Sequence, residues 1–275
     1  MKVGILGTGK MGAAIARRLS QQGFDLRLWN RTRSRADAVG VGTVVDEAAQ
    51  VVAGSEVILS ILTGPAAVHA VYDLVLPAAS GQVFVEMSTA GPALLDELEP
   101  KVTARGSSLV SSPVVAAPPA VERGEGFFLL GGSEVAIERI RPIIASMGSF
   151  QVAGSHRKAA NMKLLNNSML ATNLAIAAEL VTAGVRSGLS PEEAFGFMKR
   201  HAPYLENRKS GYLGGPHEPL TFSLKDMLKD LDLTLESLAG PGFPMPLLEA
   251  VRAAFAEVVV EHGEKEVSAV LERYR

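Results

Sequence analysis

The N-terminal segment places three glycines between a short apolar run and a helical pattern. Gly7, Gly9 and Gly12 follow the run 2–6 with the spacing G-x-G-x-x-G, and a second strand-like run, 25–29, comes after the helical segment. In this frame the first glycine makes a tight turn, the second lets a pyrophosphate approach the backbone, and the third lets helix and strand pack closely. The alternative is a tight strand–helix connection without a ligand. The pattern favours a dinucleotide-binding unit with the phosphates at the helix N-terminus.

The residues after the second strand indicate which dinucleotide would bind. A chain that binds NAD usually has an Asp or Glu there, which accepts hydrogen bonds from the ribose hydroxyls. This chain has Asn30, Arg31 and Thr32, followed by Arg33 and Arg35. A guanidinium with neutral donors holds a 2′-phosphate that a carboxylate would repel. We therefore predict NADP(H), the alternative being a solvated helix start.

Composition excludes several classes of protein and of chemistry. The chain has 275 residues, 47% of them hydrophobic, which is enough for a sizeable core and for two domains. A net charge of −2 argues against a broad nucleic-acid-binding face. The absence of cysteine excludes disulfides, thiolate catalysis and Cys-ligated zinc, and the histidines show no metal-ligand spacing. With neither a signal peptide nor an uninterrupted apolar span of about 20 residues in view, we expect a cytoplasmic protein without a membrane partner.

Apolar runs alternate with helical patterns through the first part of the chain. After the two N-terminal runs, further ones cover 57–62, 82–87, 108–112 and 127–130. Short runs separated by helices predict an α/β Rossmann domain with a doubly wound, mainly parallel sheet over residues 1–157. Ligands of such sheets bind beyond the carboxyl ends of the strands. This places Thr63, Ser88 and Thr89 near the cofactor.

The remainder, residues 158–275, has helical patterns and no convincing strand, so we predict an all-α C-terminal domain. Ser190, Pro191 and Glu193 form a capping-box pattern at the start of one helix. Other helical patterns cover 159–186, 224–238 and 246–262, and a Gly/Pro-rich loop covers 209–219.

Five segments spread over nearly the whole chain carry a family resemblance. In order, they are Gly7-Thr8-Gly9-Lys10-Met11-Gly12, Asn30-Arg31-Thr32, Glu86-Met87-Ser88-Thr89, Lys163-Leu164-Leu165-Asn166-Asn167, and Phe222 to Asp230. Together they resemble the β-hydroxyacid dehydrogenase family, which includes 3-hydroxyisobutyrate dehydrogenases and glyoxylate/succinic semialdehyde reductases. The resemblance implies a Rossmann domain, a helical domain, and assembly as dimers or tetramers through the helical part.

The resemblance also implies which residues meet the ligands. The cofactor-binding residues would be Gly7, Thr8, Gly9, Lys10, Met11, Gly12, Asn30, Arg31, Thr32, Leu62, Thr63, Thr89 and Lys229. Ser88, Phe222 and Asp230 would lie at the substrate. For Lys229, an exposed helix face with spaced ion pairs is the alternative interpretation.

Lys163 is the predicted proton donor. Reduction of an aldehyde or ketone by NADPH requires a hydride and then a proton on the developing alkoxide, and a nearby lysine supplies that proton and stabilises the charge. Asn167 comes four residues later on the same helix face, so both side chains are expected to reach one site. A lone lysine is usually a solvated surface residue. The pairing with Asn167 in an apolar segment favours catalysis.

The resemblance fails on the substrate side. Where the family usually has Ser-Gly-Gly after the strand ending at Ser112, this chain has Val115, Ala116 and Ala117. Alanine tolerates positive φ poorly, so we expect an anion-binding loop that needs positive φ to change its shape here. We predict retained hydride transfer with a shifted substrate that is larger, more apolar, or has its carboxylate held differently.

Two other functions are consistent with these patterns. An imine reductase shares the architecture, but such enzymes generally lack the lysine that Lys163 matches. A non-catalytic NADP-binding module gains some support from the altered loop. The favoured function is an NADPH-dependent reductase of a short aldehyde or keto acid.

Overall fold

A computed structural model describes residues 1–240 and 242–275. The chain forms two compact units, Met1–Lys163 and Leu164–Arg275. The predicted domain boundary at 157/158 lies at the start of a long helix, His156–Arg186, which begins in the first unit and continues into the second.

The first unit contains an eight-stranded sheet. Its strands are β1 (Lys2–Leu6), β2 (Asp25–Trp29), β3 (Thr43–Val44), β4 (Val57–Ser60), β5 (Val83–Glu86), β6 (Ser108–Ser111), β7 (Gly126–Gly132) and β8 (Gly148–Gly154). The order across the sheet is β3-β2-β1-β4-β5-β6-β7-β8. Neighbouring strands are parallel except for β6 and β7, which are antiparallel. The predicted doubly wound, mainly parallel sheet is confirmed.

Helices cover both faces of this sheet, which explains the continuous apolar strands. They are α1 (Lys10–Gln21), α2 (Arg33–Asp37), α3 (Ala48–Ala53), α4 (Pro65–Val75), α5 (Pro92–Thr103), α6 (Pro118–Glu122) and α7 (Glu134–Met147), with a 3₁₀ turn at Leu76–Ala78. Alternate residues of one strand enter different cores: Val83 and Val85 pack in one cluster and Phe84 in the other. Strands buried on both faces need no polar alternation.

Two strands were not predicted from the sequence. β3 has two residues, too few for a periodic signal, and β8 lies at the sheet edge with several exposed residues. An edge strand of this kind lacks the apolar run that marks a central strand.

The second unit is helical, as predicted. Its elements are α8 (His156–Arg186), shared with the first unit, α9 (Pro191–His201), α10 (Lys209–Tyr212), α11 (Leu224–Leu238) and α12 (Pro246–His262), with 3₁₀ turns at Pro203–Arg208 and Val267–Tyr274. The predicted capping box is confirmed: Ser190 Oγ accepts from the Glu193 N–H, and Glu193 accepts from the Ser190 N–H. The predicted loop 209–219 differs at its start, where α10 forms one helical turn.

Helix α8 is, among the described residues, the one helix long and apolar enough to cross a membrane by length and composition. Ala160 packs in one hydrophobic core of the first unit, and Leu174 packs in the core of the second. Packing within the protein therefore explains part of its apolar character.

Candidate active site

The glycine turn has the geometry expected of a dinucleotide-binding loop. Gly7 has φ +98°, and a Cβ there would lie 2.2 Å from the Ile61 carbonyl oxygen. A Cβ at Gly12 would lie 2.0 Å from the Gly7 carbonyl oxygen, so helix α1 and the turn touch backbone to backbone. A Cβ at Gly9 would meet nothing within 4 Å. The middle glycine therefore faces open space, where a pyrophosphate would approach the N-terminus of α1.

Thr8 and Asn30 connect the two loops of this site. The Thr8 N–H donates to Asn30 Oδ1 at 3.1 Å, and Asn30 Nδ2 donates to the Thr32 carbonyl at 3.0 Å. The Thr8 side chain is buried, and its hydroxyl has no hydrogen-bond partner among the described residues. Asn30 thus braces the glycine turn against the loop after β2, a positioning contact that sequence spacing does not reveal.

The arginines after β2 differ in how their charge is compensated. Arg33 forms ion pairs with Asp46 and, at 3.6 Å, with Asp37. Arg31 and Thr32 are exposed beside the Asn30 brace. Two carboxylates therefore offset the charge of Arg33, and Arg31 becomes the stronger candidate for a phosphate contact.

Other predicted cofactor residues lie around the same turn. Lys10 is exposed in the first turn of α1, and Met11 beside it is half-buried against the sheet core. The Leu62 N–H donates to Ser88 Oγ at 2.8 Å, which links the segments that follow β4 and β5. Thr63 is exposed and comes three residues after the end of β4.

Glu86, the last residue of β5, is a site residue that the sequence reasoning missed. It is 1% exposed, and its Oε1 accepts the Ser88 N–H at 2.8 Å. Burial raises the pKa of Glu86 to about 7, and the hydroxyls of Ser88, Ser60 and Tyr72 counteract the shift in part. The available signal was a carboxylate at the end of an otherwise apolar strand, two residues before Ser88.

Lys163 lies in a cleft at the carboxyl ends of β5 and β6. Its Nζ donates to the Val114 carbonyl at 2.7 Å. This strand-end cleft is lined by Ser88, Thr89, Ala90, Gly91, Leu95, Ser111, Pro113, Ala160 and Lys163. The ammonium is therefore held beside the Ser88–Thr89 turn, where parallel sheets bind their ligands.

The segment after β6, residues 113–119, offers an anion no side-chain donor. The Val115 N–H donates to the Phe127 carbonyl at 2.8 Å, and Pro118 and Pro119, which begin α6, have no N–H. Ala117 is extended, with φ −79°, and no described residue other than glycine has a positive φ. Val115 and Ala116 are half-buried and Ala117 is exposed, so the segment presents mainly methyl groups.

In the second unit, three predicted residues form one cluster through a hydrogen bond and an ion pair. Asn167 Nδ2 donates to Asp230 Oδ2, and both side chains are buried. Lys229 Nζ lies 2.9 Å from Asp230 Oδ1, and Asn166 Nδ2 donates to Asn167 Oδ1. Asn167 and Asp230, predicted for separate roles, thus orient one another.

Phe222 is positioned by a buried ion pair that sequence reasoning did not find. The Phe222 and Thr221 N–H groups donate to Glu266 Oε2, and Arg208 lies 2.9 Å from Glu266 Oε1. Glu266 is 1% exposed. No cluster of three or more His, Asp or Glu side chains that could hold a metal occurs in residues 1–240 and 242–275.

The sheet topology and the glycine turn define a dinucleotide-binding Rossmann domain. A family model described as the NAD binding domain of 6-phosphogluconate dehydrogenase matches residues 2–162. A second, described as the NAD-binding of NADP-dependent 3-hydroxyisobutyrate dehydrogenase, matches residues 158–274. The chain belongs to the β-hydroxyacid dehydrogenase family, whose members are NAD(P)-dependent oxidoreductases acting on hydroxyl or carbonyl groups.

Individual relatives match over the full length. Glyoxylate/succinic semialdehyde reductase 1 of Arabidopsis thaliana is 27% identical over 289 residues, covering 99% of this chain and 98% of that protein. A solved Mycobacterium tuberculosis 3-hydroxyisobutyrate dehydrogenase with L-serine has a TM-score of 0.87 at 24% identity, covering 100% and 99%. A reductive aminase from Aspergillus terreus in complex with NADPH and ethyl-5-oxohexanoate has a TM-score of 0.64 at 21% identity, covering 100% and 99%. Both solved structures share the fold of this chain.

Proposed function

We propose that this protein is an NADPH-dependent reductase of small aldehydes or keto acids, with Lys163 as the proton donor. The observation that carries the proposal is the position of Lys163 Nζ, 2.7 Å from the Val114 carbonyl and in one cleft with Ser88 and Thr89. The reverse reaction, oxidation of a hydroxy acid, uses the same groups. In that direction the lysine accepts the proton.

Bound NADPH supplies the hydride that the carbonyl carbon receives. Lys163 then gives an Nζ proton to the alkoxide oxygen and regains one from solvent, and its positive charge stabilises the oxyanion before transfer. The Val114 carbonyl restrains the ammonium, so its orientation needs little rearrangement. Asn167 is proposed to orient the substrate oxygen, and Asp230 fixes the rotamer of that amide.

The preference for NADPH rests on the loop after β2. Arg31 is exposed there, no carboxylate stands at the positions 30–32, and the Asn30 brace holds the loop against the glycine turn. The residues present fit the cofactor, because Gly9 faces open space and the Thr8 hydroxyl lacks a partner among the described residues. We infer that Lys229 and Thr89 contribute at the nicotinamide end, as the family resemblance implies.

The substrate is proposed to be more apolar than glyoxylate. Val115 stands where the family has a serine hydroxyl, Ala116 and Ala117 add methyl groups, and the Val115 N–H is already used. A carboxylate at this segment would gain few hydrogen bonds to offset its desolvation. Reduction of glyoxylate as efficient as that of any larger aldehyde would contradict this part of the proposal.

The decisive experiment replaces Lys163 by Ala and follows NADPH oxidation at 340 nm across glyoxylate, succinic semialdehyde, methylglyoxal and bulkier carbonyls. We expect kcat to fall about 100-fold or more, the usual contribution of a general acid, with little change in the Kd for NADPH. Lys158→Ala is the matched control, since Lys158 is an exposed lysine on the same helix. Unchanged turnover in Lys163→Ala would remove the lysine from the mechanism.

Imine reduction is the second candidate, and the fold shared with the reductive aminase favours testing it. Adding an amine to the carbonyl screen separates the two functions: an imine reductase oxidises NADPH faster with the amine, and a carbonyl reductase does not. A protein that binds NADPH and turns over neither substrate class is a binding module. Cytoplasmic location and assembly as a dimer or tetramer stay predictions.

A further inference from the structure

The buried Glu86 is a carboxylate that the proposed hydride transfer does not use. It closes β5 and is paired in register with Ser60 on β4 and Ser111 on β6, both of which end their strands. Its side chain shares a sheet face with Phe84, since alternate strand residues point the same way. That face is covered by α4, by α5 and by the first turns of α8.

The contacts of Glu86 lead directly to the strand-end cleft. Oε1 accepts the Ser88 N–H at 2.8 Å, and Ser88 Oγ accepts the Leu62 N–H at 2.8 Å. The Ser88 hydroxyl also lowers the pKa of Glu86, so it stabilises the ionised carboxylate as a donor. Ser88 lines the cleft together with Lys163. The state of Glu86 therefore affects where the Ser88 hydroxyl proton points.

The other side of the carboxylate faces polar groups with unfilled hydrogen bonds. Glu86 Oε2, the Tyr72 hydroxyl and Ser60 Oγ are buried, and none has a hydrogen-bond partner of regular geometry among the described residues. Tyr72 and Ser60 are nonetheless close enough to lower the pKa of Glu86. A proton on Oε2 would give the Tyr72 and Ser60 oxygens a hydrogen-bond donor, so the protonated form of Glu86 also has partners here.

Several charged groups on the covering helices have partners of their own. On α5, Asp96 forms an ion pair with Arg157, and carboxylate oxygens of Glu97 and Glu99 lie 3.5 and 3.1 Å from ring nitrogens of His69 and His156 respectively. Toward this face α5 contributes Leu94, Leu95 and Leu98, and α8 contributes Ala160. Tyr72 on α4 is thus the titratable group that faces Glu86 from these helices within the described chain, and Lys163 lies beyond Ser88 in the cleft.

We propose that Glu86 is a positioning residue that controls the cofactor end of the cleft: ionised, it draws the Ser88 hydroxyl proton away from the cleft, and protonated, it releases that proton to a bound ligand. The inference rests on the proposed function, since it takes the Ser88–Thr89 turn as the nicotinamide end. Two effects make the protonated form of Glu86 favour binding of the dinucleotide. The protonated form frees a donor at Ser88, and it removes a buried negative charge from beneath a site for an anionic dinucleotide.

Affinity for NADPH is therefore expected to fall as the pH rises through the pKa of Glu86, which is about 7. The test measures the Kd for NADPH by its fluorescence on the full-length protein at pH 6.0, 7.0 and 8.5, for the wild type and for Glu86→Gln. Gln mimics the protonated form, because its oxygen accepts the Ser88 N–H while its amide donates toward Ser60 and Tyr72. Since a phosphate monoester also titrates near pH 6, the two proteins are compared at each pH.

We expect equal Kd values at pH 6.0 and a Kd about threefold or more higher in the wild type at pH 8.5. Glu97→Gln, an exposed carboxylate on α5, is the control and should behave as wild type. A ratio of wild-type to Glu86→Gln affinity that does not change with pH would overturn the inference alone. Failure of the wild type to bind NADPH at any pH would overturn the proposed function as well.

If Glu86→Gln does not fold, the variant Tyr72→Phe provides a second test of the same pH dependence. Loss of a hydroxyl that stabilises the ionised carboxylate moves the pH at which affinity drops upward. A midpoint that stays in place in Tyr72→Phe would count against the proposal.

Discussion

At the scale of single residues, the two neighbouring arginines Arg31 and Arg33 should differ in their effect on cofactor choice. Replacement of Arg31 by Ala is expected to weaken NADPH binding about tenfold or more and to leave NADH binding unchanged, because hydrogen bonds to a charged group contribute about 1.5–3 kcal/mol. Arg33→Ala is the matched control, since Arg33 is already paired with Asp37 and Asp46. Titration of each variant with both cofactors measures the preference.

A preference of the wild type for NADH, or equal losses in the two variants, would contradict the assignment of the 2′-phosphate to Arg31. The first outcome would also remove the argument drawn from the missing carboxylate after β2.

Residues that belong to a local sequence pattern could be predicted from the sequence. Residues whose surroundings come from distant parts of the chain could not. Lys163 was predicted as a site residue because its neighbour Asn167 is one helical turn away. Glu86 was not, because its environment is made by Ser60 and Tyr72, which come from other elements. Arg208 and Glu266 likewise meet over 58 positions of sequence. Pairing at such separation depends on how the elements pack.

At the scale of the strand–turn–helix element, two glycines of the same motif should respond differently to the same change. Gly12→Ala would bring a Cβ to 2.0 Å from the Gly7 carbonyl oxygen, so we expect a loss of about 3 kcal/mol in the free energy of unfolding. Gly9 has a φ of −64° and faces open space, so Gly9→Ala should fold normally. It should still weaken NADPH binding about tenfold or more, because the methyl group occupies the path of the pyrophosphate.

Urea unfolding and NADPH titration of both variants separate the two effects. Normal NADPH binding by Gly9→Ala would show that the turn does not cradle a dinucleotide. Wild-type stability of Gly12→Ala would show that α1 and the turn can separate at little cost.

Elements with strong local signals were predicted well, and the exceptions have physical reasons. The central strands were visible as apolar runs because helices cover both faces of the sheet. The start of α9 was visible because a capping box is a local pattern. β8 was not visible, since an edge strand with exposed residues needs its partner β7 to be recognised. The changed segment Val115–Ala117 was identified from sequence, but its use of the Val115 N–H required the structure.

At the scale of the whole molecule, an exposed apolar stripe on α8 supports the predicted oligomer. Leu165, Met169, Ile176 and Leu180 are exposed, with Met169 at 63%. The spacing between them places them along one side of the helix. Such a contiguous apolar surface is typical of a protein–protein interface. We expect the wild type to be a dimer or tetramer of the 29.0 kDa chain.

The double variant Met169→Glu with Ile176→Glu should dissociate this assembly, because two carboxylates buried in an apolar interface lack partners. Light scattering after size-exclusion chromatography measures the mass directly. Val260→Glu, an equivalent change at an isolated residue that is 84% exposed on α12, should leave the mass unchanged. A wild-type protein that elutes as a monomer at micromolar concentration would contradict the prediction, and the stripe would then need another partner.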